Sequence, residues 1–246
     1  MKIKVSFSMI AIFCFALITK AQYQPKNISA TEIQKANQWV NETYKSLSQD
    51  EKLGQLFIVA LYTNKDEAHI NSVRSIVLNE KIGGLILMQD DAAREITLVN
   101  EFQQKSKIKL MFGMDAEWGL FQRIAAAHKF PWAMTLGAIQ DKSLITEMSA
   151  KIAEDAKRMG INWDFAPVVD VNTNPNNPII GNRSFGSEVP NVISSALAYS
   201  NGLQDNNILA AIKHFPGHGD TDQDSHLDLP VISHSLKRLN EIEIAP

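Results

Sequence analysis

Residues Lys213 to His226 read KHFPGHGDTDQDSH and concentrate the chain's chemically useful side chains. Of six histidines, His214, His218 and His226 fall here, beside Asp220, Asp222 and Asp224. Pro216, Gly217 and Gly219 exclude a helix, so these groups belong to a shaped loop after a strand, where function usually resides. Proton transfer is one chemistry the pattern offers. Asp224 and His226, separated only by Ser225, can bend together so that the carboxylate accepts from one ring nitrogen and fixes the tautomer. The other nitrogen then faces a substrate as general acid or base. Metal binding is the alternative, since His and Asp are both ligands for a first-row divalent ion. A calcium loop fails on spacing: Ser225 stands where a glycine is needed and Val231 where a bidentate glutamate is needed. Zinc is not excluded by spacing, yet the chain has no HExxH helix.

Positioning such a loop takes a strand, and strand-like apolar runs recur along the chain. They are Phe57 to Leu61, Ile82 to Met88, Lys109 to Met114, Ile161 to Val171 and Ile208 to Lys213. Between them lie helical patterns. The strongest is Ser143 to Met159, where Leu144, Met148, Ile152, Ala156 and Met159 recur at helical spacing and Gly160 supplies a stop. Ala68 to Leu78 and Val189 to Leu203 are less regular. Continuous apolar strands alternating with helices imply a mostly parallel sheet covered on both faces. Polar residues end several of these strands: Asp115 and Glu117, then Asp170, then Lys213 and His214. Several strands converging on one pocket favour a barrel over an open sheet with its single switch point. Gly83-Gly84 lacks the further glycine and the lysine of a nucleotide-binding loop and reads as a tight turn. Residues 172–182, rich in asparagine around Pro175 and Pro178, read as a loop.

Bulk properties narrow the classes. The 246 residues are 45% hydrophobic and 21% charged, which suits a folded domain with a real core. A net charge of -3 with scattered lysines gives no basic face for nucleic acid. At the N-terminus, Lys2 and Lys4 precede an apolar run from Phe7 to Ile18, followed by Thr19-Lys20-Ala21. This pattern predicts a signal peptide over 1–21, a mature chain from near Gln22, and a secreted or periplasmic protein. The run is shorter than the roughly 20 residues that span a bilayer, so no stable membrane span is expected in the mature chain. Residues 22–46 read as a leader, polar at first, with helical patterning from about Glu32. Cys14, the only cysteine, lies in the signal and lacks the small residues that a lipid-attachment site needs, leaving neither disulfide nor thiolate for the mature protein.

KHFPGHG with its downstream DSH resembles the β-N-acetylglucosaminidase branch of glycoside hydrolase family 3, and other stretches agree. They are GMDAEWG from Gly113, NWDFAPVVD from Asn162 and NRSFG from Asn182. The resemblance runs from about Leu47 to residue 246. It implies an α/β fold, a TIM (β/α)8-type barrel domain over 47–246, and a carbohydrate substrate. By the same resemblance His226 is the general acid/base and Asp224 its orienting partner. Lys213, His214 and Asp115 then bind sugar hydroxyls, while Arg183 holds the hydroxyl or acetamido side of the ring. Asp170 is expected to support the site rather than react, and His218 to shape the loop. DAEWG departs from the DxEGG form of the bacterial enzymes, which alters the pocket rim.

Enzymes of this branch retain configuration and use a second group, an aspartate nucleophile in a later strand-end motif. No such motif follows Pro230, and too few strands are present to close eight. The expectation is therefore an incomplete barrel within a longer protein carrying further domains, with the nucleophile beyond residue 246. No cofactor and no metal are called for by that route. Two other readings stand beside it: a metal-dependent hydrolase and a non-catalytic carbohydrate-binding fragment.

Overall fold

A computed structural model describes residues 29–89 and 91–246. The expected signal peptide and the first part of the leader lie outside the described residues. The described residues divide into two compact units, one up to Trp39 and the other from Val40 to Pro246. Helix α1 (Ala30–Ser46) starts in a capping box, with Ser29 Oγ accepting from the Glu32 N–H and the Glu32 carboxylate accepting from the Ser29 N–H. It buries none of its residues. No described helix is long and apolar enough to cross a membrane.

The second unit begins with α2 (Gln49–Gly54), whose Ser48 and Glu51 form another capping box. It then alternates strand and helix: β1 (Ile58–Leu61), α3 (Glu67–Glu80), β2 (Gly84–Leu87), α4 (Ala92–Lys105) and β3 (Met111–Met114). After α5 (Ala133–Gly137) and α6 (Ser143–Arg158) come β4 (Trp163–Asp164), α7 (Val189–Gln204), β5 (Leu209–Ala210) and α8 (Leu236–Glu241). All five strands are parallel and lie in sequence order β1-β2-β3-β4-β5. An order that never reverses has no switch point, so the sheet curls in one direction as a barrel does. Among the described residues it stays open: β1 and β5 are its edges, and Phe57, Ile58 and Leu209 beside them are exposed.

Each strand run lands on an observed strand, but two are much shorter than expected. Ile161 to Val171 yields only Trp163–Asp164, and Ile208 to Lys213 only Leu209–Ala210. Pro167 has no N–H to continue the ladder. The two segments instead pair irregularly, with the Ala211 N–H reaching the carbonyls of Asp164 and Ala166, and the Val169 N–H that of Lys213. Gly83-Gly84 is not a turn. A Cβ on Gly83 would lie 2.1 Å from the Gln55 carbonyl oxygen, and one on Gly84 2.4 Å from that of Met111. The glycines let neighbouring backbones approach as β2 begins. Helix α4 was not singled out by apolar spacing because Glu95 interrupts a stripe otherwise formed by Leu98, Val99 and Phe102.

Helix α6 forms where expected, and Gly160 ends it at φ +74. Its buried face is rotated, however, to Ile145, Ser149, Ile152, Ala153 and Ala156. Leu144, expected inside, is 50% exposed. The cause is the closeness of α7. A Cβ on Gly202 would meet Ser149 Oγ at 1.9 Å, so small residues form the contact and Leu144 is turned away. Burial assigns different costs to the two positions. Ile152→Ala is expected to lower unfolding free energy by about 2–5 kcal/mol and Leu144→Ala by about 1 kcal/mol or less, measured by urea denaturation.

Candidate active site

The C-terminal ends of β3, β4 and β5 and the loops after them enclose a cavity of about 380 Å³. β3 delivers Asp115 and Glu117, the segment after β5 delivers Lys213 and His214, and the 3-10 turn Gly181–Arg183 delivers Arg183. All five line the cavity, together with Arg123, Trp118 and His226.

The floor is an ion network. Lys213 Nζ donates to Asp115 Oδ1 and to Glu117 Oε1, both at 2.8 Å. Arg183 grips Glu117 with two bonds, Nε to Oε2 at 2.9 Å and Nη2 to Oε1 at 2.8 Å. Arg123 holds the other oxygen of Asp115. Burial alone would raise both carboxyls. The cations outweigh it, so Lys213 and Arg123 hold Asp115 below its ordinary range, and Arg183 and Lys213 hold Glu117 below its own. Both acids are therefore ionised in the site, and each is committed to two cations.

His214 is fixed from both sides. Asp170, whose side chain is fully buried, lies 2.6 Å from His214 Nδ1 and also accepts the backbone N–H groups of His214 and His218. On the other side His214 Nε2 is 3.3 Å from Arg183 Nη2. A guanidinium can only donate, so Nε2 is the acceptor and Nδ1 carries the hydrogen given to Asp170. Asp170 thus supports the site as expected. His218 pins the following loop, its ring bonded to Thr221 Oγ1 and Ser225 Oγ. Burial lowers its basicity.

His226 and Asp224 meet as their spacing suggests. The two are joined by His226 Nδ1 to Asp224 Oδ1 at 2.6 Å and by the His226 N–H to the same oxygen at 2.9 Å. That backbone bond, then the ring bond, holds Asp224 below its ordinary range. Nδ1 is committed to Asp224, so the other ring nitrogen is left for a ligand. His226 lines the cavity although its side chain is 75% exposed; Asp224 is not part of the lining.

Glu117, Arg123 and Asp164 were not among the residues expected to act. Glu117 carried a signal, being a second acid two places after Asp115 at a strand end. Arg123 carried none, because a 3-10 turn at Leu120–Gln122 brings it back to Asp115. Asp164 looked like part of a strand. It is buried beneath the floor, accepting from the Ala116 N–H at 3.0 Å, with the Tyr199 hydroxyl 3.4 Å away. A metal reading that uses His214 and His226 finds no support in the grouping of donors. Among the described residues the potential ligand atoms within 4.8 Å of one another belong to Asp220, His234 and Glu243. Both Glu243 oxygens there are held by Arg238.

Burial pushes the Asp164 carboxyl up to about 7, repulsion from Asp115 and Glu117 adding to it and the Ala116 N–H and Lys213 opposing it. In the unfolded chain the group ionises near pH 4. Between these values only the unfolded state has released the proton, so this group costs stability as pH rises from about 4 to 7. Asp164→Asn removes the titration while keeping an acceptor for Ala116. The variant is expected to gain on the parent by up to about 4 kcal/mol between pH 4 and pH 8. Thermal denaturation at a series of pH values measures it, and a constant difference between the two proteins contradicts the assignment.

The chain is 39% identical over 179 residues to beta-hexosaminidase A of Pseudoalteromonas piscicida, covering 67% of this chain and 30% of that protein. Among solved structures, beta-glucoside phosphorylase BglX bound to 2FGlc aligns with a TM-score of 0.80 and 29% identity, over 90% of this chain and 39% of that one. A glycoside hydrolase family 3 beta-N-acetylglucosaminidase from Paenibacillus sp. str. FPU-7 aligns with a TM-score of 0.72 and 32% identity, over 81% of this chain and 39% of that one. The chain thus spans about a third of the length of these relatives. Residues 48–246 match the family described as glycosyl hydrolase family 3 N terminal domain, and the chain belongs to that family.

Proposed function

We propose that the chain supplies the sugar-binding floor and the acid/base group of a retaining β-N-acetylglucosaminidase acting on terminal β-linked N-acetylglucosamine. The observation that carries this reading is the His226–Asp224 pair at the edge of a cavity whose floor is a set of oriented charged groups. Asp115, Lys213 and His214 bind hydroxyls, and Arg183 holds the hydroxyl or acetamido side of the ring. Their mutual bonds keep them oriented before the sugar arrives, and the sugar's hydroxyls bridge between them. Asp115 and Glu117 are each held by two cations, which suits them to binding and orienting the sugar, and the nucleophile is a separate group. That role falls to an aspartate beyond residue 246, in keeping with relatives much longer than this chain.

In the first step this aspartate attacks the anomeric carbon, the bond to the leaving oxygen breaks, and the imidazolium of His226 gives that oxygen its proton. Asp224 stabilises the imidazolium and holds the ring. In the second step His226 takes a proton from water as the water attacks the glycosyl-enzyme, which releases sugar and restores the aspartate. Neither step calls for a cofactor. The N-terminal pattern from Lys2 to Ile18 supports export, so the site of action on this reading is outside the cytoplasm.

In the full-length protein, His226→Ala is expected to lower kcat for β-N-acetylglucosaminides by about 10²–10⁴-fold. Binding of N-acetylglucosamine should weaken far less. Intact turnover in this variant overturns the acid/base assignment. Asp224→Asn should keep the fold, lower kcat and alter the pH–rate profile, and an unaltered profile contradicts the orienting role.

A second reading is favoured by the likeness to a beta-glucoside phosphorylase over 90% of the chain. Phosphate then replaces water in the second step, and Arg123, Arg183 and Lys213 bring positive charge to the cavity that receives it. Product analysis in phosphate buffer separates the two. Phosphorolysis yields the sugar 1-phosphate, whereas hydrolysis yields free sugar whatever the phosphate concentration.

A further inference from the structure

Trp118 stands in the site and has no part in the chemistry above. It follows Glu117 directly, and while Glu117 is buried in the floor, Trp118 is partly exposed and lines the cavity. Its place is fixed from several directions. The Gly119 N–H closes a turn onto the Ala116 carbonyl at 2.9 Å, and the Trp118 carbonyl accepts from the Phe130 N–H at 3.1 Å. The ring is backed by Trp132, with centroids 4.1 Å apart and planes tilted by 41°. Its indole N–H meets no acceptor among the described residues. Apart from Ile179, the rest of the lining is polar or charged.

The polar floor and the indole suit different parts of a saccharide. Hydroxyls are recognised by the charged network. A β-linked pyranose also presents a face of axial C–H bonds, which carry slight positive charge and settle on the negative face of an aromatic ring. The terminal sugar occupies the floor on the reading proposed above, so whatever is linked to it extends toward solvent, and Trp118 is the partly exposed aromatic side chain of the lining. A ring buttressed by a second ring loses little freedom on binding, which makes it an efficient platform.

We propose that Trp118, backed by Trp132, is a second carbohydrate subsite that stacks on the pyranose attached to the terminal N-acetylglucosamine. The substrate is then a β-linked di- or oligosaccharide rather than a glycoside of a small alcohol. This inference rests on the glycosidase reading for the placement of the terminal sugar.

The test uses the full-length protein, its Trp118→Ala and Trp118→Phe variants, and two probes, N,N′-diacetylchitobiose and N-acetylglucosaminyl fluoride, which has no second sugar. The ratio of kcat/KM for the disaccharide to that for the fluoride is expected to fall about tenfold in Trp118→Ala. Trp118→Phe, which keeps an aromatic face, should recover most of it. An unchanged ratio in Trp118→Ala overturns the subsite, because loss of the fold or of the catalytic groups lowers both rates together. Isothermal titration calorimetry with the disaccharide judges the subsite without turnover in the parent and in Trp118→Ala alike. If the parent cleaves neither probe yet binds the disaccharide about tenfold more tightly than Trp118→Ala, the subsite stands and the glycosidase reading fails. Equal affinities in the two proteins overturn the subsite.

Discussion

The ammonium of Lys213 sits between the carboxylates of Asp115 and Glu117, and the site is built around that contact. Lys213 and Asp115 are 98 residues apart in the chain, so their meeting requires β3, β4 and β5 to be side by side and in register. Removing one partner of a fully buried pair strands the other and costs about 3–5 kcal/mol, but this network is only partly buried. Each member here has a replacement bond in reserve: Arg123 also holds Asp115, and Arg183 also holds Glu117. Two acids against three bases leave the floor with one more positive than negative group, excluding the carboxyl of Asp164 below. Burial keeps that carboxyl protonated through mildly acidic pH, which spares the floor a further negative charge.

The same requirement explains why the strands are short. Five parallel strands, two of them only two residues long, would be a weak sheet if ladder bonds were its main support. Side chains take over where the ladder stops. Asp164 receives the Ala116 N–H, Asp170 receives those of His214 and His218, and Tyr199 reaches from α7 to the carbonyl oxygens of Ala116 and Glu117. The strand ends are thus held by buried acceptors, which allows the backbone there to depart from strand geometry and aim its side chains inward. Helix α7 connects this layer to the outer one, since Tyr199 faces the site while Gly202 and Leu203 lie against the core.

Most of the fold was legible in the sequence because apolar runs and helical periodicity are local signals. The five strand runs and α6 were found from them, and the convergence of polar strand ends on one pocket was read from Asp115, Asp170, Lys213 and His214. What was missed depends on contacts between distant segments. Leu144 fits the apolar stripe of α6 as well as Ile145 does, and only the proximity of α7 decides between them. Gly83-Gly84 looks like any turn until Gln55 and Met111 are seen against it. Arg123 and Asp164 had no motif to mark them, because their importance arises from the neighbours the fold gives them.

The two halves of the site differ in the same way. The Asp224–His226 pair spans two residues, so its hydrogen bond is a property of a few loop dihedrals and survives movement of that loop. The floor is a property of the whole sheet and exists only when the second unit is folded. On the function proposed above, a glycosidase gains from this division. Hydroxyl recognition demands groups held rigidly at several points, and strand ends supply that. A proton donor must serve a leaving group in one step and water in the next, and a loop-borne histidine with 75% of its side chain exposed can reach both. The group proposed as acid/base is thereby both exposed and the part of the candidate site most easily read from sequence, for one reason: its partner is close to it in the chain.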